Sequence, residues 1–349
     1  MLRDRIKIKI LKFEETNDAS SKVPFEEVGR GLSILICPLN WGLGHASRCA
    51  PIINRLVNEG NNVTIVADGF PLEFLRQEFP QLSFIEYPSY PIHYSKGKSQ
   101  IGVMLRCAPK ILGKIVSEHR WLKKLLKSEY FDMIISDNRF GLWNKRIRSV
   151  YITHQLMIKM PKRLRFMEPV IWRFHRLFIS KYDECWIPDY DGTKNLSADL
   201  SHKYILPSNA KFIGPLSRFS LLKNIVSNNE YNTVCILSGV EPQRSIFEKN
   251  LIKRFENASQ KTLIIQGKPR KEKQTQTTNN ITIVSHLETS ELASVLLGAE
   301  CIISRSGYST IMDLEALCCL QKAEFIPTPG QTEQEYLAEI HKYLDELDD

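Results

Sequence analysis

The chain has 349 residues, 43% of them hydrophobic and 25% charged, with a formal net charge of +8. That is length enough for two domains, and the balance is that of an ordinary globular protein with a sizeable core. No apolar run reaches the roughly 18 residues of a membrane-spanning helix, which excludes an integral helical span. The positive charge suits phosphorylated substrates, anionic lipid or nucleic acid. It is not gathered around a recognisable base-reading motif, so no nucleic-acid partner is expected.

Residues 1–32 lack the apolar stretch and small-residue cleavage site of a secretory leader and read as a polar extension. Short apolar, β-rich runs then recur at 34–37, 63–66, 84–87, 133–136, 150–153 and 185–187, with helical patterns between them. Continuous rather than alternating apolar runs predict strands buried on both faces, and alternation with helices predicts parallel sheets. After 211–215 the chain turns polar, and a linker is expected near 214–231. The series restarts with runs at 234–237, 263–265, 281–284, 301–303 and 325–326, interrupted by a polar stretch at 268–280 that reads as a surface loop. The expected fold is α/β, with two Rossmann-like domains at 33–215 and 216–349 and a cleft between their sheets. Eight scattered cysteines without CxxC spacing read as reduced thiols, mostly core, in a cytoplasmic protein without a structural zinc site.

Four motifs follow strands. Asn40-Trp41-Gly42-Leu43-Gly44-His45 comes after 34–37 and opens a helical pattern. Strand, glycine turn and helix aim backbone N–H groups at an anion, although an ordinary βα turn reads the same way. His45 stands where α/β ligands bind and suits a general base near neutral pH; a local helix-start hydrogen bond is the plain alternative. Ser238-Gly239-Val240-Glu241-Pro242-Gln243-Arg244 follows 234–237, and Arg244 is either a diphosphate partner or a solvated helix residue. Ser304-Arg305-Ser306-Gly307-Tyr308-Ser309-Thr310 follows 301–303, with Asp313 one turn on. Its hydroxyls and glycine suit phosphate oxygens and Asp313 suits ribose hydroxyls, against the alternative of a Ser/Thr cap. The loop 327–336 carries Gln334 and Glu335, which suit sugar hydroxyls or simply a polar cap.

Together these residues resemble the MurG-type glycosyltransferases, which have the GT-B fold. Gly42, Gly44 and His45 look like that family's N-terminal glycine loop, and Gly239 and Arg244 like the loop opening its second domain. Ser306, Gly307, Thr310 and Asp313 look like its donor-binding strand–loop–helix, with Asp313 in place of glutamate. Gln334 and Glu335 fall at its paired glutamines, and His286-Leu287 where the nucleotide base is read by backbone. The resemblance covers roughly 33–340. It implies inverting transfer from a nucleoside-diphosphate sugar, often UDP-N-acetylglucosamine, bound as substrate with no cofactor and no catalytic metal. It also implies that helix N-termini and hydroxyls stabilise the leaving diphosphate. His45 is the expected base, with Asp137, after 133–136, next in line. The family's last helices return to the N-terminal domain, so the resemblance implies either an abbreviated C-terminal end here or a truncated chain.

Residues 159–181 mix Lys159, Lys162, Arg163, Arg165, Arg173, Arg176 and Lys181 with Leu164, Met167, Ile171, Phe174 and Phe178. The five apolar residues follow 3–4 spacing and predict one helical stripe, facing either the core or an anionic membrane that holds a lipid-linked acceptor. A glycan or lipid-linked acceptor and peripheral contact with the inner membrane face are expected. A sugar-nucleotide 2-epimerase and a non-catalytic sugar-nucleotide-binding protein are the alternative functions.

Overall fold

A computed structural model describes residues 28–89, 101–270 and 272–348. Most of the expected N-terminal extension lies outside the described residues. The first sheet is built from β1 (Ser33–Pro38), β2 (Asn62–Ala67), β3 (Ser83–Glu86), β4 (Met133–Asp137), β5 (Arg148–Ile152), β6 (Glu184–Ile187) and β7 (Ala210–Phe212). Its order is β3-β2-β1-β4-β5-β6-β7 and every pairing is parallel. Ile34, Leu35, Ile36 and Cys37 are fully buried, as a central strand covered on both faces requires.

The second sheet contains β8 (Thr233–Ile236), β9 (Thr262–Ile265), β10 (Thr275–Thr278), β11 (Ile281–Val284), β12 (Cys301–Ser304) and β13 (Ala323–Phe325). Its order is β10-β11-β9-β8-β12-β13, with only β10 antiparallel. The fold is therefore α/β with two parallel-dominated sheets.

Two elements differ from the expectation. The stretch expected as a loop at 268–280 contains β10, whose four residues are all exposed. An edge strand that buries no side chain leaves no apolar signature. β7 is a three-residue, half-buried edge strand in a segment read only as the approach to the linker.

The helices are α1 (Gly44–Asn58), α2 (Gly69–Glu78), α3 (Ile101–Leu125), α4 (Glu168–Ile179), α5 (Asp199–His202), α6 (Gln243–Phe255), α7 (Thr289–Gly298), α8 (Tyr308–Ala316) and α9 (Thr332–Asp348). Cys49, Ile52, Ile53 and Leu56 put one face of α1 on the first sheet. The same core takes in Tyr308, Ile311 and Met312 of α8 and Leu337 of α9. Burying a side chain of this size contributes about 1.5–3 kcal/mol, so the two halves are joined by apolar burial as well as by chain. The return to the first half that the resemblance assigns to later helices is made by α9. Leu337 is fully buried, the Tyr336 hydroxyl accepts from Asp199 N, and His341 Nε2 lies 3.1 Å from Leu196 O.

The expected single stripe over 159–181 is corrected. A 3-10 turn (Lys162–Met167) precedes α4, and Pro169 in the first turn of α4 restarts the helical phase. The buried face of α4 is Glu168, His175 and Ile179. Leu164, Met167, Ile171 and Phe178 are half-buried, and Phe174 is 61% exposed. Glu168 turns inward because Lys203 Nζ (2.8 Å) and Met160 N (3.1 Å) meet its two oxygens.

Candidate active site

In a parallel sheet, ligands collect where the strand order reverses, at the carboxyl ends of the strands. The reversals fall between β1 and β4 in the first sheet and between β8 and β12 in the second. The loops after these four strands face one another. Gly42 (φ +93°) and Gly239 (φ +95°) both adopt the left-handed backbone that glycine permits. A Cβ on Gly42 would lie 3.5 Å from Gly239 N, and one on Gly44 would overlap the Ser309 hydroxyl. These glycines let the two loops meet backbone to backbone.

Two compartments result. One, of about 140 Å³, is lined by Trp41 to His45, Arg48, His154, Gln155, Ser238 to Val240, Gly307 to Thr310, Gln331, Glu333 and Gln334, with Asn138. The other, of about 90 Å³, runs from Gly44 and Ser47 past Ser309, Thr310 and Asp313 to Leu287 and Arg218.

Polar contacts are dense in the first. His45 Nδ1 lies 3.2 Å from Asp137 Oδ2 and 2.9 Å from Arg48 Nη2. Arg48 Nε donates to Asp137 Oδ2 (2.7 Å), and its Nη2 pairs with Asp137 Oδ1. Arg48 Nη1 meets His154 Nδ1 at 3.0 Å, and His154 Nε2 meets Glu333 Oε1 of α9 at 2.7 Å. An arginine cannot accept, so the His154 Nδ1 lone pair accepts from Arg48 and Nε2–H donates to Glu333. Tyr308 stacks on the His154 ring, with centroids 4.2 Å apart.

Burial would raise the Asp137 carboxyl, but Arg48 and His45 outweigh it and hold the group well below the usual carboxylate range. Burial also lowers the His45 imidazole below its ordinary value, with Arg48 acting the same way and Asp137 opposing. His45 is therefore neutral at pH 7, beside an ionised carboxylate. Burial pushes Glu333 up, and His154, His45 and Arg48 bring it net below its ordinary value. Asp313 behaves oppositely: burial raises its carboxyl against the pull of Arg218 and Ser217. The Ser217 hydroxyl donates to Asp313 Oδ1 at 2.6 Å, and Arg218 Nε stands 3.8 Å from Oδ2.

The cleft thus brings together Gly44, His45, Gly239, Leu287, Gly307, Thr310, Asp313 and Gln334 from the sequence candidates. Asp137 lies fully buried beneath it, in contact with His45 and Arg48. Three candidates are elsewhere. Arg244 is held by Glu241 (2.8 Å) and Glu248 (3.1 Å). The buried Ser306 hydroxyl donates to Gln334 O, and the exposed Glu335 accepts from Gly330 N. The sequence reading missed Arg48 and His154, and did not single out Ser309 and Glu333 within the motifs that contain them. Three local signals existed: Arg48 is one turn from His45, His154 directly follows the run 150–153, and Glu333 adjoins Gln334.

No protein-family model matches the chain, and no curated protein matches its sequence. Solved structures do match. A glycosyltransferase of kitacinnamycin superposes with a TM-score of 0.51 at 16% identity, covering 91% of this chain and 94% of that one. Arabidopsis thaliana UGT89C1 gives 0.53 at 13% identity, covering 88% and 82%. A putative UDP-N-acetylglucosamine 2-epimerase from Listeria monocytogenes gives 0.50 at 13% identity, covering 92% and 89%. At these identities the likeness is one of fold: two Rossmann-like domains across a cleft, the GT-B arrangement.

Proposed function

We propose that the chain is a glycosyltransferase that moves a sugar from a nucleoside-diphosphate donor to an acceptor hydroxyl, with inversion and without a metal. The observation that carries this reading is His45, a neutral imidazole backed by ionised Asp137, opposite the hydroxyl-rich turn 304–310. The glycosyltransferase neighbours of the same fold favour it. His45 Nδ1 faces both Asp137 Oδ2 (3.2 Å) and the Arg48 Nη2 donor (2.9 Å). The reaction uses the tautomer in which Nδ1–H is donated to Asp137, leaving the Nε2 lone pair to take the acceptor proton. The acceptor oxygen attacks the anomeric carbon as the bond to the diphosphate breaks, and the diphosphate leaves with the electron pair. Ser309, Thr310 and the α8 N-terminus meet the charge that develops on it. Asp137 stabilises the imidazolium that forms.

On this reading the nucleoside lies along Leu287 and Asp313. Gln334, whose Oε1 accepts from Thr328 N at 2.8 Å, turns its amide N–H groups to the sugar. UDP-N-acetylglucosamine is the first donor to test, and the acceptor is a glycan or a lipid-linked hydroxyl. A 2-epimerase is the second reading, favoured by one observation: His154 and Glu333 form another histidine–carboxylate pair in the same cleft.

Incubating the full chain with labelled sugar nucleotides, with and without alcohol and glycan acceptors, distinguishes these. Release of nucleoside diphosphate with a new glycoside supports the transferase. Isomerised sugar nucleotide without release supports the epimerase, and binding without either product supports a carrier or sensor.

A further inference from the structure

Arg218 opens a 3-10 turn (Arg218–Leu221) in the segment that joins the two halves, and it lines the smaller cleft compartment. That turn is locked to α8. Leu216 N lies 3.3 Å from Met312 Sδ. The Ser217 hydroxyl accepts from Phe219 N at 3.1 Å and donates to Asp313 Oδ1 at 2.6 Å, and Phe219 is fully buried. The guanidinium is held by two rings, its Cζ 5.3 Å from the centroids of both Phe74 and Phe219. Phe74 belongs to α2 of the first half, which is tied to the second half close by. Gln77 Nε2 donates to Arg270 O at 2.8 Å, and the Thr289 hydroxyl donates to Glu78 Oε1 at 2.5 Å.

The cation is fixed in place, yet among the described residues none accepts a hydrogen bond from it. Its Nε is closed off from solvent and has no partner. Asp313 Oδ2 stands 3.8 Å away, near enough for attraction and too far for a hydrogen bond. Only 13% of either side chain is exposed. A charged donor enclosed to this degree ordinarily gives its N–H groups to an oxygen. A phosphate oxygen is disfavoured at this point, because the Asp313 carboxylate would stand against it. Phosphates have a better place at the start of α8, with Ser309 and Thr310. A hydroxyl suits the pair, since its oxygen accepts from Arg218 while its hydrogen goes to Asp313.

We propose that Arg218 is a further donor-binding residue, which gives a hydrogen bond to a ribose hydroxyl and so selects ribonucleotides over their deoxy forms. The proposal rests on the reading of the cleft as a nucleoside-diphosphate site. Asp313 is three residues beyond Thr310 in α8, about 4.5 Å along the helix axis, so a diphosphate at Thr310 brings its ribose toward both side chains. A carboxylate alone can only accept. With the guanidinium beside it, the site calls for an oxygen that both takes and gives a hydrogen bond. A deoxy carbon there would leave enclosed polar groups unpaired, which is how a polar site rejects an analogue lacking a hydroxyl. The plain alternative is an ion pair that fastens the joining segment to α8 and touches no ligand.

Titration calorimetry of the full chain, with no acceptor present, separates the two. UDP, GDP, ADP and CDP are each compared with the 2′,3′-dideoxy form, in wild type and in Arg218→Met, which keeps an apolar stem against Phe74 and Phe219. Wild type should bind its preferred ribonucleotide roughly a hundredfold tighter than the dideoxy form, the effect of losing hydrogen bonds to two charged groups. In Arg218→Met that ratio should fall by roughly tenfold, with the dideoxy form bound about as before. Arg218→Lys keeps a charged donor on the same stem and should lower the ratio less. Wild type binding both forms alike would overturn the proposal while leaving the nucleotide reading in place. So would a ratio that neither variant changes, including the case in which Arg218→Met weakens both forms equally. Failure to bind any of these nucleotides would overturn both.

Discussion

Arg48 and Asp137, both buried, show how one ion pair serves a site. Removing one partner of such a pair leaves an uncompensated buried charge, which typically costs about 3–5 kcal/mol. Loss of activity on changing Asp137 would thus mix folding with chemistry, which makes His45 the cleaner probe. His175 offers a separate test of stability. Its Nδ1–H donates to Leu156 O at 3.2 Å, its Nε2 has no hydrogen-bond partner, and burial lowers its pKa to about 4. Between pH 6.5, its ordinary value, and about 4 the unfolded chain holds a proton there that the folded chain refuses. Stability must therefore fall as pH drops through that window, by about 3 kcal/mol from this group. His175→Asn, which keeps a donor near Leu156 O, should flatten the slope of unfolding free energy against pH by nearly one proton. An unchanged slope would mean that His175 titrates normally in the folded state. The placement of His45 after β1 and of Asp137 at the end of β4 was legible in the sequence because continuous apolar runs mark both strands. Arg48, His154 and Glu333 were not, since their partners lie 89, 106 and 179 positions away.

At the scale of elements, α1 and α8 start against one another, with Gly44 meeting Ser309. Gly44→Ala should force the Ser309 hydroxyl aside, costing about 1–3 kcal/mol as overpacking and weakening donor binding. Adding Ser309→Ala removes the overlapping oxygen and should restore part of the stability, with a coupling of about 0.5–3 kcal/mol in a double-mutant cycle. Strictly additive changes would show that the helix starts do not touch in solution. The central strands were readable because their apolar runs are continuous. The phase of α4 was not, because Pro169 resets it and the Lys203 ion pair draws Glu168 inward. β10 was invisible because it buries no side chain and is held by backbone pairing, in the register Thr275↔Val284 to Thr278↔Ile281, with a Thr277–Thr282 hydroxyl contact at 3.4 Å.

Across the whole molecule, the first core includes side chains from α8 and α9, so the halves are not independent. Leu337→Ala should cost about 2–5 kcal/mol and lower a single shared unfolding transition, checked by urea denaturation at two spectroscopic probes. Two separated transitions, with only one shifted, would contradict the shared core. The two cleft compartments, about 90 and 140 Å³, share Gly44, Ser309 and Thr310 in their linings. The sequence indicated two halves from their repeated strand series, but not that α9 closes one upon the other, because that contact depends on tertiary packing of a short amphipathic segment. The central claim is that His45 moves the acceptor proton while the second half holds the donor. It is tested most directly by measuring donor Kd and turnover side by side for wild type and His45→Ala, on whichever donor the panel identifies. The account predicts turnover lower by about 10²–10⁴-fold with donor Kd nearly unchanged, and a wild-type acidic limb of activity below pH 6.5, where burial holds His45. Unchanged turnover, or turnover and donor affinity falling together, would contradict it.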